Sequence, residues 1–340
     1  MTAASLSDLL DGTFQMIGRT WKTALILGGV LFAPAAWMTG LSYSRLFHSY
    51  LRLLSSAGRA SSDMMQVLLS LAGTYAWLIA GSALIGLVTL FVRACLILHT
   101  WHAVNGRSPR LGEIVLTVLR TRILRLIAQR LLVLAIIAAV WFPVAVLAGA
   151  AAGIAAAVGS ISAAVIVASV LAAGACAVSV WLAVRFSVAR EAMVVDAQGI
   201  DDSLEESTRV VSHSWWRVFG LLLLIMLIVS FAASLVSAPI VLFSLLPAYV
   251  RLYQELLSGT LRSSAWLATL FQAFAGMGWK LGLGTYLSCL LSAFVLPGFM
   301  TLLFLDLKAR ASTSTGAELP ALSDTPTDVP LGPDSSGGTT

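Results

Sequence analysis

LLVLAIIAAVWFPVAVLAGAAAGIAAAVGSISAAVIVASVLAAGACAVSVWLAV, residues 131–184, runs from Arg130 to Arg185 without a charged side chain. As one α-helix it would reach about 80 Å at 1.5 Å per residue, far more than the roughly 30 Å of hydrocarbon in a bilayer. It must fold back, and Gly159-Ser160 is the best turn within it. In lipid every backbone polar group has to be paired inside its own segment, so both arms read as helices. The fold-back predicts spans over 131–158 and 161–184.

Working outward, residues 22–43, 66–92, 218–245 and 281–305 are further apolar runs of spanning length. The expectation is an all-α fold, a polytopic membrane helical bundle with six transmembrane helices. Composition agrees: 59% of the 340 residues are hydrophobic and 11% charged, against about 25% charged in a soluble domain, and the mean hydropathy is +0.92. Residues 1–310 form the membrane domain. Residues 311–340, rich in Ser, Thr, Gly, Pro and Asp, cannot bury a core and read as a disordered cytoplasmic tail. The start does not look like a cleaved signal peptide, because Asp8 and Asp11 precede the first basic residue, Arg19.

Lys and Arg set the orientation. Six spans place fifteen basic residues on one side, Arg93, Arg130, Arg185, Arg190 and Arg217 among them, and six on the other. The richer side is predicted to be cytoplasmic, with both termini on it, in the cell membrane. The net charge of +5 therefore reflects orientation signals beside apolar runs rather than a nucleic-acid surface. On the poorer side, 45–63 and 251–278 read as amphipathic external helices, or as a re-entrant piece in the second case.

A threefold pattern recurs. Leu6-Ser7-Asp8, Leu111-Gly112-Glu113 and Leu204-Glu205-Glu206 each open an amphipathic segment before an odd-numbered span. Ser5 with Asp8 and Ser203 with Glu206 fit capping boxes, and Ser108 precedes Pro109. Gly106 and Gly199 each precede the leading leucine by the same interval. The following spans carry Pro34, Pro143 and Pro239. These segments are expected to lie flat as interfacial helices on the cytoplasmic surface, with Trp21, Trp101, Trp215 and Trp216 at headgroup depth.

Catalytic signatures are missing. No G-x-S-x-G, Walker loop, H-E-x-x-H or dinucleotide fingerprint occurs. His99 and His102 share a helix face, but no Asp, Glu or Cys pattern nearby completes a metal site. Cys95, Cys176 and Cys289 read as buried thiols. No cofactor and no metal are expected. Gly149 and Gly153 form a G-x-x-x-G step that favours close packing of the third and fourth spans, or a dimer through that face.

Three stretches resemble a known family. They are Arg185-Phe186-Ser187-Val188-Ala189-Arg190-Glu191-Ala192-Met193-Val194-Val195-Asp196, followed by Gly199 and by Ser214-Trp215-Trp216-Arg217-Val218-Phe219-Gly220; Leu6-Ser7-Asp8-Leu9-Leu10-Asp11-Gly12-Thr13-Phe14 with Arg19; and Leu305-Asp306-Leu307-Lys308-Ala309-Arg310. Together they resemble the membrane domain that accompanies glycerophosphoryl diester phosphodiesterases, which also stands alone in many bacterial proteins. The resemblance covers about residues 6–310 and implies a six-span membrane domain. The chain departs from that family at Glu206-Ser207, where an arginine-serine pair is usual. The phosphodiesterase activity is not implied: it belongs to a separate soluble barrel of about 250 residues, for which there is no room.

Charges at membrane depth are the usual functional flags. Here they gather at the cytoplasmic boundary, and Arg185, Arg190, Glu191, Asp196 and Asp306 are the candidate polar cluster, gripping lipid headgroups or a partner protein. The expected activity is thus that of a non-enzymatic module binding membrane lipids, protein partners or a second copy of itself, and no nucleic acid. The alternative is a small-molecule or lipid transporter built from the three repeats. A membrane enzyme acting on lipid has only the boundary carboxylates behind it.

Overall fold

The computed structural model describes residues 6–56, 61–107, 109–158, 161–258 and 265–314. Among them every regular element is helical: α1 (Leu6–Ser56), α2 (Ser61–Val104), α3 (Leu111–Thr117), α4 (Ile123–Val158), α5 (Ile161–Arg185), α6 (Ala189–Val195), α7 (Ile200–Ser212), α8 (Trp215–Leu257), α9 (Ala265–Gly276) and α10 (Gly278–Ser314). A wider, π-helical turn, Val118–Arg122, joins α3 to α4. Six helices are long and apolar enough to cross a membrane, one for each predicted span. The uncharged run does fold back, since α4 ends at Val158, α5 starts at Ile161 and the two pack side by side. The turn residues Gly159 and Ser160 lie outside the described residues.

Several boundaries differ from the sequence-based expectation. Only the third amphipathic segment is a separate helix, α7. The first continues into its span as the 51-residue α1, and the second runs through the π turn into α4 with helical backbone at both junctions. Nothing in the first segment interrupts the hydrogen-bond ladder, and a π turn absorbs one extra residue without breaking the helix. Pro34, Pro143 and Pro239 stand inside α1, α4 and α8, where neighbouring groups can re-satisfy a freed carbonyl.

The segment 45–63 extends α1 to Ser56 and then opens α2, with residues 57–60 outside the described ones. The segment 251–278 extends α8 and then forms α9. The capping box at Ser203 does not form: α7 begins at Ile200 after an extended Gly199, so Ser203 sits a turn inside it. Ser5 and Ser108 lie outside the described residues. Gly106 takes a left-handed φ of 70°, but its counterpart in the third unit is Ala197 at 55°, not Gly199. Of the expected tail, 311–314 still belongs to α10, while 315–340 lies outside the described residues.

The centre of the bundle is α1, flanked by α10 and α2; α8 lies on α10, and α9 on α1. Lipid is as apolar as leucine, so helices in a membrane associate through close van der Waals packing and polar contacts. Glycine supplies that closeness. A Cβ at Gly282 would stand 2.9 Å from the Ala36 carbonyl oxygen, and one at Gly278 would stand 2.6 Å from the Ser44 Cβ. A Cβ at Gly40 would stand 2.9 Å from the Gly282 Cα. Ala36, Gly40 and Ser44, spaced four apart, are thus crossed by Gly278 and Gly282, also four apart. Ser44 Oγ then donates to the Ala275 carbonyl at 2.6 Å, and Phe47 stacks on Phe274 at 4.9 Å, seating α9. By contrast, a Cβ at Gly149 or Gly153 meets nothing within 4 Å, so that motif does not bring α4 and α5 together.

The buried side chains concentrate at the end where α2 finishes and α3, α6 and α7 lie, hereafter the basic end. One cluster joins α5, α6, α7, α8 and α10 around Val211, Val218, Phe299 and Leu303. A second joins α2, α3, α4 and α6 around Cys95, Val118, Leu126 and Met193. Away from that end, the α4–α5 hairpin stands apart from the rest: none of the most apolar window of α3–α4, and only 6% of that of α5–α6, is buried.

Gly40→Val and Gly282→Val should each destabilise the protein by at least the roughly 1–3 kcal/mol of an overpacked core, because the obstacle is backbone. Gly149→Val should stay within about 0.5 kcal/mol of the parent. Thermal melts in mild detergent test this; three equal melting temperatures would remove the glycine crossing as a determinant.

Candidate functional site

The site forms where α5 stops. Arg185 is its last residue, and the orphan carbonyl of such a helix end needs a donor. Ser207 Oγ of α7 supplies it, 2.8 Å from the Arg185 oxygen. The buried stripe of α7 is Ser203, Ser207, Val210 and Val211, rotated by a residue from a stripe that would start at Leu204. Hydrogen bonds explain the shift: Ser203 also accepts one from Gln129 Nε2 of α4 at 3.2 Å. The Arg185 guanidinium lies over the Trp181 ring, 4.9 Å from its centroid, with Nε donating to Thr208 Oγ1 at 3.2 Å.

After a turn at Phe186–Val188 the chain re-forms as α6, the wedge between the two buried clusters. Val188 and Ala192 face one, Met193 and Val194 the other. This fixes Arg190 and Glu191 of α6 in depth and direction. Glu191 is 2% exposed, and its Oε2 has no hydrogen-bond partner among the described residues.

The five residues singled out from the sequence do not form one cluster. Asp306 of α10 is a nearly buried carboxylate held by two cations, Arg310 Nε at 3.0 Å and Arg217 Nη1 at 3.1 Å. Asp196, after α6, pairs instead with Lys308 Nζ at 2.8 Å. Arg185 keeps to α7. Arg190 and Glu191 turn toward α2 and α4, within electrostatic reach of Arg93, and Arg130 stands close to both Arg93 and Arg190. None of Arg93, Arg130 and Arg190 reaches a carboxylate within 4.0 Å among the described residues; Arg93 Nε is buried and unpartnered. Arg93 and Arg130 are not among the five residues of the sequence-based cluster. They lie far apart in sequence, on different helices, so no local spacing marks them as a pair.

These three arginines head a half-open cleft of about 760 Å³ between α2 and α4, walled by apolar and small side chains such as Ile79, Ala83, Leu87 and Leu134. A second, smaller cleft of about 60 Å³ shares Arg130 and Arg190 and is lined by Gln129 and by Ser187, whose hydroxyl is buried without a partner among the described residues. Elsewhere, His99 Nε2 lies 3.4 Å from Thr23 Oγ1. Among the described residues no three of His, Cys, Asp and Glu stand close enough to hold a metal ion. Of the cysteines, Cys95 is buried but Cys176 is exposed on α5 and Cys289 half-buried, all with free thiols.

Six long apolar helices and a charged layer at one end define a multi-pass helical membrane protein. The chain belongs to the family described as Domain of unknown function (DUF7847), which matches residues 13–279. That span includes Arg93, Arg130, Arg190 and Glu191 and stops short of Asp306. No curated protein matches the chain, and neither does any solved structure.

Removing Asp306 leaves two cations facing each other. Asp306→Ala should cost somewhat less than the roughly 3–5 kcal/mol of a broken buried pair, because Arg217 and Arg310 remain about a third exposed. Lys308→Ala, at a more exposed pair, should cost no more than about 1 kcal/mol. Denaturation of the two variants in one detergent gives the comparison; equal losses would refute the difference in burial.

Proposed function

We propose that this protein is a non-enzymatic membrane module that binds lipids at its basic end, with that end facing the cytoplasm and both termini on that side of the cell membrane. The observation that carries the proposal is the arrangement of charge. Asp306 and Asp196 are used up by Arg217, Arg310 and Lys308, whereas Arg93, Arg130 and Arg190 face a cleft and, among the described residues, have no carboxylate in ion-pair contact. Spare cations beside an apolar wall suit an amphiphile with an anionic head. Protein partners at the same face, or a second copy of the chain, are further candidates, and the likeness to the membrane domain of glycerophosphoryl diester phosphodiesterases is in keeping with a membrane module.

A lipid or small-molecule transporter is the alternative. It is favoured by the α4–α5 hairpin, which touches the other helices only lightly, as a moving element would.

Gentle-detergent purification of the full chain, with mass spectrometry of what accompanies it, separates these. A phospholipid retained through several washes is the expected result; a chain stripped clean of lipid would refute lipid binding. Orientation has its own check: a cysteine placed at either terminus of a cysteine-free variant should resist an impermeant thiol reagent added to intact cells, and labelling of one end alone would overturn the topology.

A further inference from the structure

The cleft between α2 and α4 has two unlike parts. Its wall follows one face of α2 from Leu78 to Arg93, about 22 Å at 1.5 Å per residue. That exceeds the ~15 Å half-thickness of a hydrocarbon core, so the wall can accompany an acyl chain through its leaflet. Ile79, Leu87 and Leu134 are apolar, and Ala83 and Gly86 leave room; a Cβ at Gly86 meets nothing within 4 Å. At the basic end of the wall three guanidiniums converge from three helices, Arg93 from α2, Arg130 from α4 and Arg190 from α6. Among the described residues one carboxyl, that of Glu191, lies within the field of Arg93, so the site keeps a net positive charge.

Like charges gathered at the edge of a low-dielectric medium repel and call for an anion. Arginine forks match the oxygens of a phosphate in geometry as well as in charge. Among the described residues the buried Arg93 Nε has no hydrogen-bond partner, and neither has the Ser187 hydroxyl of the smaller cleft that shares Arg130 and Arg190. A soluble anion would satisfy the arginines and leave the apolar wall unused. A neutral lipid would fill the wall and leave the arginines bare.

We propose, resting on the lipid-binding function argued above, that this cleft holds one anionic glycerophospholipid, its phosphate on Arg93, Arg130 and Arg190 and one acyl chain along α2 from Leu87 to Leu78. The lipid is drawn from the leaflet at the basic end. It fills the wedge that the α4–α5 hairpin leaves beside α2, and so ties the hairpin to the bundle.

The test uses the full chain in phosphatidylcholine nanodiscs with phosphatidylglycerol as the minor lipid, released into mild detergent and weighed by native mass spectrometry. The parent should retain one phosphatidylglycerol in preference to the more abundant phosphatidylcholine. Arg130→Gln with Arg190→Gln should weaken that retention at least about tenfold, the scale of one lost charge-assisted hydrogen bond. Gly86→Phe should weaken it similarly while leaving every arginine in place, and it decides the matter if the arginine variant fails to fold. Gly149→Phe, on an open face of the hairpin, should retain the lipid. If the parent holds phosphatidylglycerol and all variants hold it equally, the cleft is not the site, although lipid binding stands. If the parent shows no preference for phosphatidylglycerol but keeps phosphatidylcholine, the anionic ligand is wrong; if it keeps no lipid, both proposals fail. Displacement of the lipid by inorganic phosphate would show that the arginines bind the anion without the chain, and would also overturn this inference.

Discussion

Hydrocarbon around an uncharged hairpin is the constraint from which the rest of this architecture follows. A soluble protein gathers its most apolar helices at the centre because water expels them. Here the most apolar helical stretch, within α3–α4, has none of its most apolar part buried. In lipid no solvent force drives α4 or α5 inward. Helices that do pack tightly must have another reason, and for α1 and α10 it is the glycine crossing that lets two backbones touch.

The same constraint sends polar chemistry to one end. Serines and threonines inside the long helices mostly return their hydroxyls to the carbonyl four residues back, as Thr13, Thr20, Thr39 and Thr301 do. Charged groups cannot do so, and at the basic end they find each other or remain unmatched. The wedge helix α6 links these outcomes. It turns the end of α5 back under the bundle and carries Arg190 and Glu191 toward α2 and α4. Its other neighbours, Asp196 and Lys308, close a separate ion pair. A cleft headed by arginines is what remains when a loosely packed hairpin meets a tight bundle at only one end.

The spans were legible because they follow from a length and an absence of charge, properties that need no knowledge of neighbours. So was the fold-back between residues 158 and 161. Helix continuity was not: an amphipathic stripe before a span looks the same whether the backbone bends after it, as at Ser212–Ser214, or runs on, as through Arg122. The close approach of α1 and α10 was not legible, because Gly149 and Gly153 share their spacing with Gly278 and Gly282, and spacing does not say which face meets a helix. The arginine-rich boundary was visible as a band. How its members pair depends on contacts across more than a hundred residues, such as Asp196 with Lys308, and on α6 pointing two adjacent side chains away from Asp306.

Spin labels placed singly at Leu87 and Leu131 in the cleft and at Leu147 on the outer hairpin, in the reconstituted full chain, report what surrounds each position. Lipid-filled surroundings predict, at all three, free collision with dissolved oxygen and none with a water-soluble nickel chelate. Collision with the nickel chelate at Leu87 or Leu131 would mean a watery passage between α2 and α4. Protection from both reagents would mean that the hairpin is packed against protein, and either result would contradict this account.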